Sequence, residues 1–311
     1  MPYLKPVDLL REMEPAVEAN LNRHLSVAQA WMPHDYVPWS EGRDFVGPDG
    51  EPWDVEQSDL SPAVRAAFEV NLLTEDNLPS YHYEVATAFG RDGAWGTWVH
   101  RWTAEEGRHA MCIRDYLLVT RSVDPDALER DRMTTMETGY SAEDKDALRA
   151  LVYVSFQELA TRISHRNTGR HSGNPVAERL LARIATDENL HMVFYRDLVR
   201  AALEIAPDQT MEAIAAEVLG FQMPGTGIPE FVRKGVRIAD AGIYDIRIHR
   251  DEVLMPVLRH WKVLDLTVST PQAQQAQADL AAHLDALDQL AARHEERREA
   301  RRERAAAKAS T

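Results

Sequence analysis

Apolar residues recur along most of this chain at the three- and four-residue spacing of amphipathic helices, and the stretches that carry them are long. Residues 1 to about 30 predict the first such helix. From Trp31 to about residue 60 the pattern lapses into Gly-, Pro- and Asp-rich sequence, which predicts a loop over the surface. Ser61-Pro62 then reads as a helix start, serine as N-cap and proline at the first helical position, and the helix runs to about Phe89 with Gly90 as its stop. Pro79 lies inside it. A helical proline cannot donate to the carbonyl four residues back, here that of Glu75, so a kink or bulge is predicted there. A second long helix covers about Ala94 to Arg121, and residues 124–138 predict a short polar helix or extended turn. The third opens at Ser141, with Asp144 three residues on as a relative of the capping box, and continues to about Asn167. Asn174-Pro175 opens the fourth, which ends near Ile205. Further helices are predicted at about 208–220, 230–240, 244–260 and 272–306, with 295–311 a flexible tail of mixed charge. The expected architecture is one all-α domain over residues 1–311: a four-helix core bundle over about 61–205, with extra helices over 1–30 and 208–306.

One polar pattern interrupts these apolar faces twice, as Glu106-Gly107-Arg108-His109 and Glu188-Asn189-Leu190-His191. Residues three apart share a helix face, so each pattern offers a carboxylate and an imidazole to one point. Glu75 and Glu158 stand upstream in the preceding long helices, 31 and 30 residues before Glu106 and Glu188. The halves 61–121 and 141–205 therefore look like a duplicated helix pair offset by 82 or 83 residues. Each helix is about 28 residues, or ~42 Å, and each carries its acid near the middle third. Glu, Glu-x-x-His, Glu, Glu-x-x-His is the ligand set of a dinuclear carboxylate site inside a four-helix bundle. A single Glu-x-x-His is an ordinary solvated helix face. Against that stand the neighbours: Glu158 lies among Val154, Phe156, Leu159 and Ala160, and Glu75 follows Val70 to Thr74. Buried carboxylates are unfavourable by several kcal/mol each unless paired or metal-bound, so four converging ones require cations. Asp187 and Glu105, each just before a Glu-x-x-His, read as acceptors for the outer nitrogens of the ligand histidines.

Composition narrows the chemistry. The net charge of −15 argues against nucleic acid as a partner. No stretch approaches the ~18 apolar residues of a membrane span, and the first ten residues carry Pro and Asp where an export signal would be apolar. A cytoplasmic protein is expected. Cys112 is the only cysteine, which excludes an intrachain disulfide, a thiolate zinc site and an iron–sulfur cluster held by this chain alone. Oxygen-rich ligation with two imidazoles favours iron, with manganese as a substitute, over copper or zinc. Iron is the choice where an unactivated C–H bond must be broken.

The stretches Thr74-Glu-Asp-Asn-Leu-Pro-Ser-Tyr81, Trp102-Thr-Ala-Glu-Glu-Gly-Arg-His109, Ser155-Phe-Gln-Glu-Leu-Ala-Thr161 and Asp187-Glu-Asn-Leu-His191 resemble the soluble acyl-acyl-carrier-protein desaturases, most closely the actinobacterial members. The likeness runs from Trp31-Met-Pro-His-Asp-Tyr through Trp261-Lys-Val263 to the C-terminal helix. It implies a ferritin-like fold and a homodimer whose two iron ions take electrons from ferredoxin. It implies that O2 is used to place a cis double bond in a fatty acyl chain on acyl carrier protein. Carried over, the iron ligands are Glu75, Glu106, His109, Glu158, Glu188 and His191. Thr161 matches a threonine thought to assist proton delivery, and Trp31 with Asp187 a proposed electron path to His109. Gly107, Leu190 and Arg166 depart from the plant members between and beside the ligands, while Glu84 and Thr87 fall where residues lining the acyl pocket are expected. Arg233, Lys234 and Arg237 offer one basic cluster for an acidic carrier. Rival readings are a hydroxylase or other oxygenase on the same scaffold, a metal-binding protein without organic substrate, and a radical-generating subunit using Tyr153 or Tyr195.

Overall fold

A computed structural model describes residues 3–142, 145–225 and 227–309, with helices and no strand among them. Helix α1 (Pro6–Val27) leads into a loop broken by single 3-10 turns at Pro33–Tyr36, Trp39–Glu41 and Val55–Gln57. Buried Arg121 anchors that loop, donating to Gln57 Oε1 at 2.9 Å and to the backbone carbonyl of Glu51. The first long helix is split where the proline foretold it. Helix α2 (Pro62–Asp76) ends one residue after Glu75, Asn77 forms the joint, and α3 (Leu78–Phe89) takes Pro79 into its first turn, where a missing N–H leaves no bond unmade. Gly90 closes α3 at φ +87°, a conformation that favours glycine.

Helices α4 (Gly93–Val119) and α5 (Pro125–Thr138) follow. The next start differs from expectation. Helix α6 (Ala147–His171) is capped by Asp146, whose carboxylate accepts from the Arg149 amide at 2.9 Å. Residue 141 is not helical, and Asp144 lies outside the described residues. An aspartate immediately before a helical run satisfies the free amides directly, so it outcompetes a serine five residues upstream. Asn174 caps α7 (Pro175–Ile205) as anticipated, accepting from the amides of Val176 and Ala177 at 2.9 and 3.1 Å. Helices α6 and α7 approach closely because Gly169 has no side chain: a Cβ there would lie 3.1 Å from Glu178 Cα.

The C-terminal part comprises α8 (Pro207–Leu219), α9 (Phe231–Ala241), α10 (Ile246–Ile248), α11 (Met255–Trp261) and α12 (Pro271–Ala309). A π-helical segment, His249–Leu254, joins α10 to α11. It ends two residues before Pro256, whose ring would clash with the Glu252 carbonyl in a regular helix, and the wider turn relieves this. Two apolar clusters fill the interior. One gathers Trp98, Leu151, Phe156 and Phe194, and the other Phe68, Leu72, Ile113, Tyr116 and Leu181. Along α4 and α7 the Glu-x-x-His pairs fall between residues of the two clusters, so the polar layer sits at mid-depth in the bundle.

Candidate metal centre

All six expected ligands turn inward to one place, and none is more than 6% exposed. Glu75, Glu106, His109 and Glu188 have ligand-type atoms within 4.8 Å of one another, and so do Glu106, Glu158, Glu188 and His191. The two groups share Glu106 and Glu188. His109 Nδ1 lies 3.1 Å from Glu188 Oε1, 3.2 Å from Glu106 Oε2 and 3.6 Å from Glu75 Oε2. His191 Nδ1 lies 2.8 Å from Glu106 Oε1 and 3.5 Å from Glu158 Oε2. The imidazole centroids are 6.1 Å apart. Each histidine thus stands with one carboxylate of its own, Glu75 for His109 and Glu158 for His191, and with two that belong to both groups.

The residues fit a pair of cations on their own evidence. Glu106 Oε1, Glu158 Oε2, Glu188 Oε1 and His191 Nδ1 are buried and make no hydrogen bond. Their lone pairs converge without donors between them, which a buried cluster tolerates around cations or, without them, by taking up protons. Burial, then Glu106 and Glu188, push the Glu158 carboxyl well above its ordinary value.

Outside this ring, each histidine is oriented by an acid. Glu105 Oε2 lies 2.9 Å from His191 Nε2. Asp187 Oδ2 lies 3.5 Å from His109 Nε2 and accepts from Trp31 Nε1 at 2.7 Å. A carboxylate only accepts, so the outer nitrogen of each imidazole carries the proton and Nδ1 is left free to face the centre. Burial would raise Glu105, but the bonds from His191 and His24 outweigh it and hold its carboxyl well below the usual range. For Asp187, burial is likewise outweighed, chiefly by His109, and the carboxyl falls to about 2. Arg108 and Arg183 also contact Asp187, and both guanidinium groups lie over the Trp31 ring.

Thr161 Oγ1 stands 3.0 Å from Glu188 Oε2 and 3.0 Å from the Glu158 carbonyl. Three further residues were not singled out from the sequence. His165 Nε2 is 2.7 Å from Glu75 Oε1, Trp102 Nε1 donates to Glu158 Oε1 at 2.9 Å, and His24 Nε2 is 2.9 Å from Glu105 Oε2. For His165 a signal existed: positions 158, 161 and 165 share one helix face. His24 comes from α1, with no periodicity linking it to the bundle.

A cavity of about 300 Å³ lies against the centre. Glu75, Glu106 and Trp102 wall its inner end, and Leu78, Val85, Ala88, Val154 and Tyr153 are among its sides. Glu84 and Thr87 line it, as expected from their place on α3. Arg166 turns away to pair with Glu252 at 2.7 Å. The basic cluster on α9 does not survive as a unit: Lys234 is buried between Glu69 and Asp131, at 3.1 and 3.2 Å, and Arg233 pairs with Glu230. No helix of the described residues is long and apolar enough to cross a membrane.

DesA1 of Mycobacterium tuberculosis (strain H37Rv), provisionally named an acyl-acyl-carrier-protein desaturase, is 50% identical over 286 residues, covering 89% of this chain and 85% of that one. A rice protein named stearoyl-acyl-carrier-protein 9-desaturase 2, chloroplastic, from Oryza sativa subsp. indica, is 28% identical over 307 residues, covering 92% and 77%. The X-ray structure of DesA2 from M. tuberculosis H37Rv, provisionally an acyl-ACP desaturase, matches with a TM-score of 0.70 at 33% identity, over 86% of this chain and 99% of that one. A family model described as fatty acid desaturase matches residues 5–311. With that match over nearly its whole length, the chain belongs to the fatty acid desaturase family.

Proposed function

We propose that this protein is an acyl-acyl-carrier-protein desaturase that places a cis double bond in a carrier-bound fatty acyl chain. In this reading Glu75, Glu106, His109, Glu158, Glu188 and His191 would hold two iron ions. When bound, the metals supply O2 activation strong enough to break unactivated C–H bonds. The balance is that O2 takes up four electrons, two from the acyl chain and two from a donor, and leaves as two waters. Ferredoxin is the donor, and the working form is a cytoplasmic homodimer, as the family resemblance implies.

The observation that carries this reading is the cavity ending on Glu75 and Glu106, which a metal store without organic substrate does not need. Its walls exclude water around an alkyl segment, and Trp102 both closes the inner end and orients Glu158. Thr161 holds its hydroxyl proton within reach of Glu188, which suits it to pass protons towards the reaction side of that carboxylate. Trp31 and Asp187 connect the outer nitrogen of His109 to the N-terminal segment, the route assigned to electrons.

The test is product analysis. Purified protein loaded with iron is supplied with acyl carrier proteins bearing saturated chains, ferredoxin, its reductase, NADPH and O2. A cis-monounsaturated chain is expected by mass spectrometry. A hydroxylated product instead would establish the oxygenase, and O2 uptake without chain modification would overturn both.

A further inference from the structure

The two acids behind the ligand histidines are related by the repeat, but their third partners are not. Both partners come from the N-terminal segment outside the bundle. Asp187 receives the indole N–H of Trp31, whereas Glu105 receives the imidazole of His24. His24 is 2% exposed, and its ring packs edge-on against Trp98 at 5.0 Å and stacks on His191 at 5.9 Å. Its Nε2 and the Nε2 of His191 both lie 2.9 Å from the same oxygen, Glu105 Oε2. The other oxygen, Oε1, is held by Arg101, whose side chain is 38% exposed.

We infer that His24 is a positioning residue for the metal site that contains His191. By donating to Oε2 it prevents Glu105 from swinging towards Arg101 and the surface, and so keeps one oxygen aligned with the His191 Nε2–H. That alignment fixes the ring with Nδ1 facing Glu106 and Glu158. The matching bond on the other side is slacker: Asp187 Oδ2 lies 3.5 Å from His109 and is shared with Trp31 and Arg108. The two metal positions are therefore held unequally, with the His191 position the more tightly oriented and dependent on α1.

This inference rests on the two-metal reading of the site. Its test is metal affinity, measured separately from activity, by titrating chelator-treated full-length protein with Co2+ and following the visible absorption and the metal content. His24→Phe keeps the ring but removes the N–H. His24→Asn keeps an amide too short to reach Glu105, and His24→Gln places an amide N–H near the position of Nε2. Loss of the group bonded directly to a ligand weakens binding about 10–100-fold; His24 acts one step further out, through Glu105, so the lower end of that range applies. The expected result is that weakening for one of the two ions in H24F and H24N, with H24Q within about threefold of wild type by the same measure. Should H24F fail to fold, H24N against H24Q makes the same comparison. Two ions bound with wild-type affinity in H24F or H24N would overturn the role of His24 while leaving the two-metal centre intact. So would an H24Q as impaired as the others, since that would make packing the cause. A wild-type chain that takes up no pair of ions would remove the centre itself, and this inference with it.

Discussion

Replacing Glu158 by glutamine should weaken metal binding yet make the metal-free protein more stable. Glu158 lies with Glu106, Glu188 and His191 in a group whose ligand atoms are within 4.8 Å of one another. Two carboxylates at that distance repel by about 3.5 kcal/mol at an effective dielectric of ~20. Glu158 faces two such partners, partly offset by His191 Nδ1 at 3.5 Å. Protonation limits the penalty. The folded-state carboxyl is raised well above 4.5 by burial and then by Glu106 and Glu188. The unfolded chain then binds fewer protons than the native one. Below pH 4.5 Glu158 is neutral in both states and contributes no penalty, and above it the native state loses about 1.4 kcal/mol per pH unit until the raised value is passed. At pH 7.5 the limit is therefore about 4 kcal/mol. The amide introduced by Glu158→Gln keeps an oxygen for the Trp102 N–H and adds an N–H towards the remaining acids. For E158Q, urea unfolding of the chelator-treated proteins should show a gain of roughly 2–4 kcal/mol at pH 7.5, shrinking to under about 1 kcal/mol at pH 5. The same variant should retain fewer than two metals per chain by elemental analysis. A metal-free variant less stable than wild type, or a gain independent of pH, would refute the picture of four acids held together against their repulsion.

Two other outcomes follow from residues away from the ligands. Glu84→Leu removes the carboxylate from the cavity wall, against which an alkyl chain can pack only by stripping its water. In a mixed-substrate assay, kcat/KM for chains two carbons longer should rise about tenfold or more relative to wild type, and an unchanged chain-length profile would remove Glu84 from the site. His249, packed on Phe221 at 4.8 Å and 2.8 Å from the Tyr244 hydroxyl, is pushed down to about 4 by burial and by His283. Its contribution is complete above pH 6.5 and is lost as pH falls towards 4, by up to about 3 kcal/mol. The pH dependence of Tm over that window should therefore flatten in His249→Phe, and an identical slope would show that His249 does not carry it.

Much of the centre could be read in one dimension because a helix converts spacing into direction. Glu106 with His109 and Glu188 with His191 had to share faces, and the break after Glu75 followed from Pro79. Apolar neighbours marked Glu158 as buried before any fold was known. Caps were legible where the side chain stood next to the run, as at Ser61 and Asn174. They were misread where a nearer aspartate intervened, as at Asp146.

What no spacing encodes is which distant segment lies against which. His24 and Trp31 reach Glu105 and Asp187 from the N-terminal segment, across 81 and 156 residues. Lys234 looked like part of a basic surface until α9 placed it between Glu69 on α2 and Asp131 on α5. The cavity is likewise a space between α2, α3, α4 and α6, not a property of any one of them. The helices, the residue types offered at the centre and their depth follow from local periodicity and the cost of burying charge, and so could be read from the chain alone. Which atoms meet is a matter of packing, because the choice among many possible neighbours sets every distance at the site.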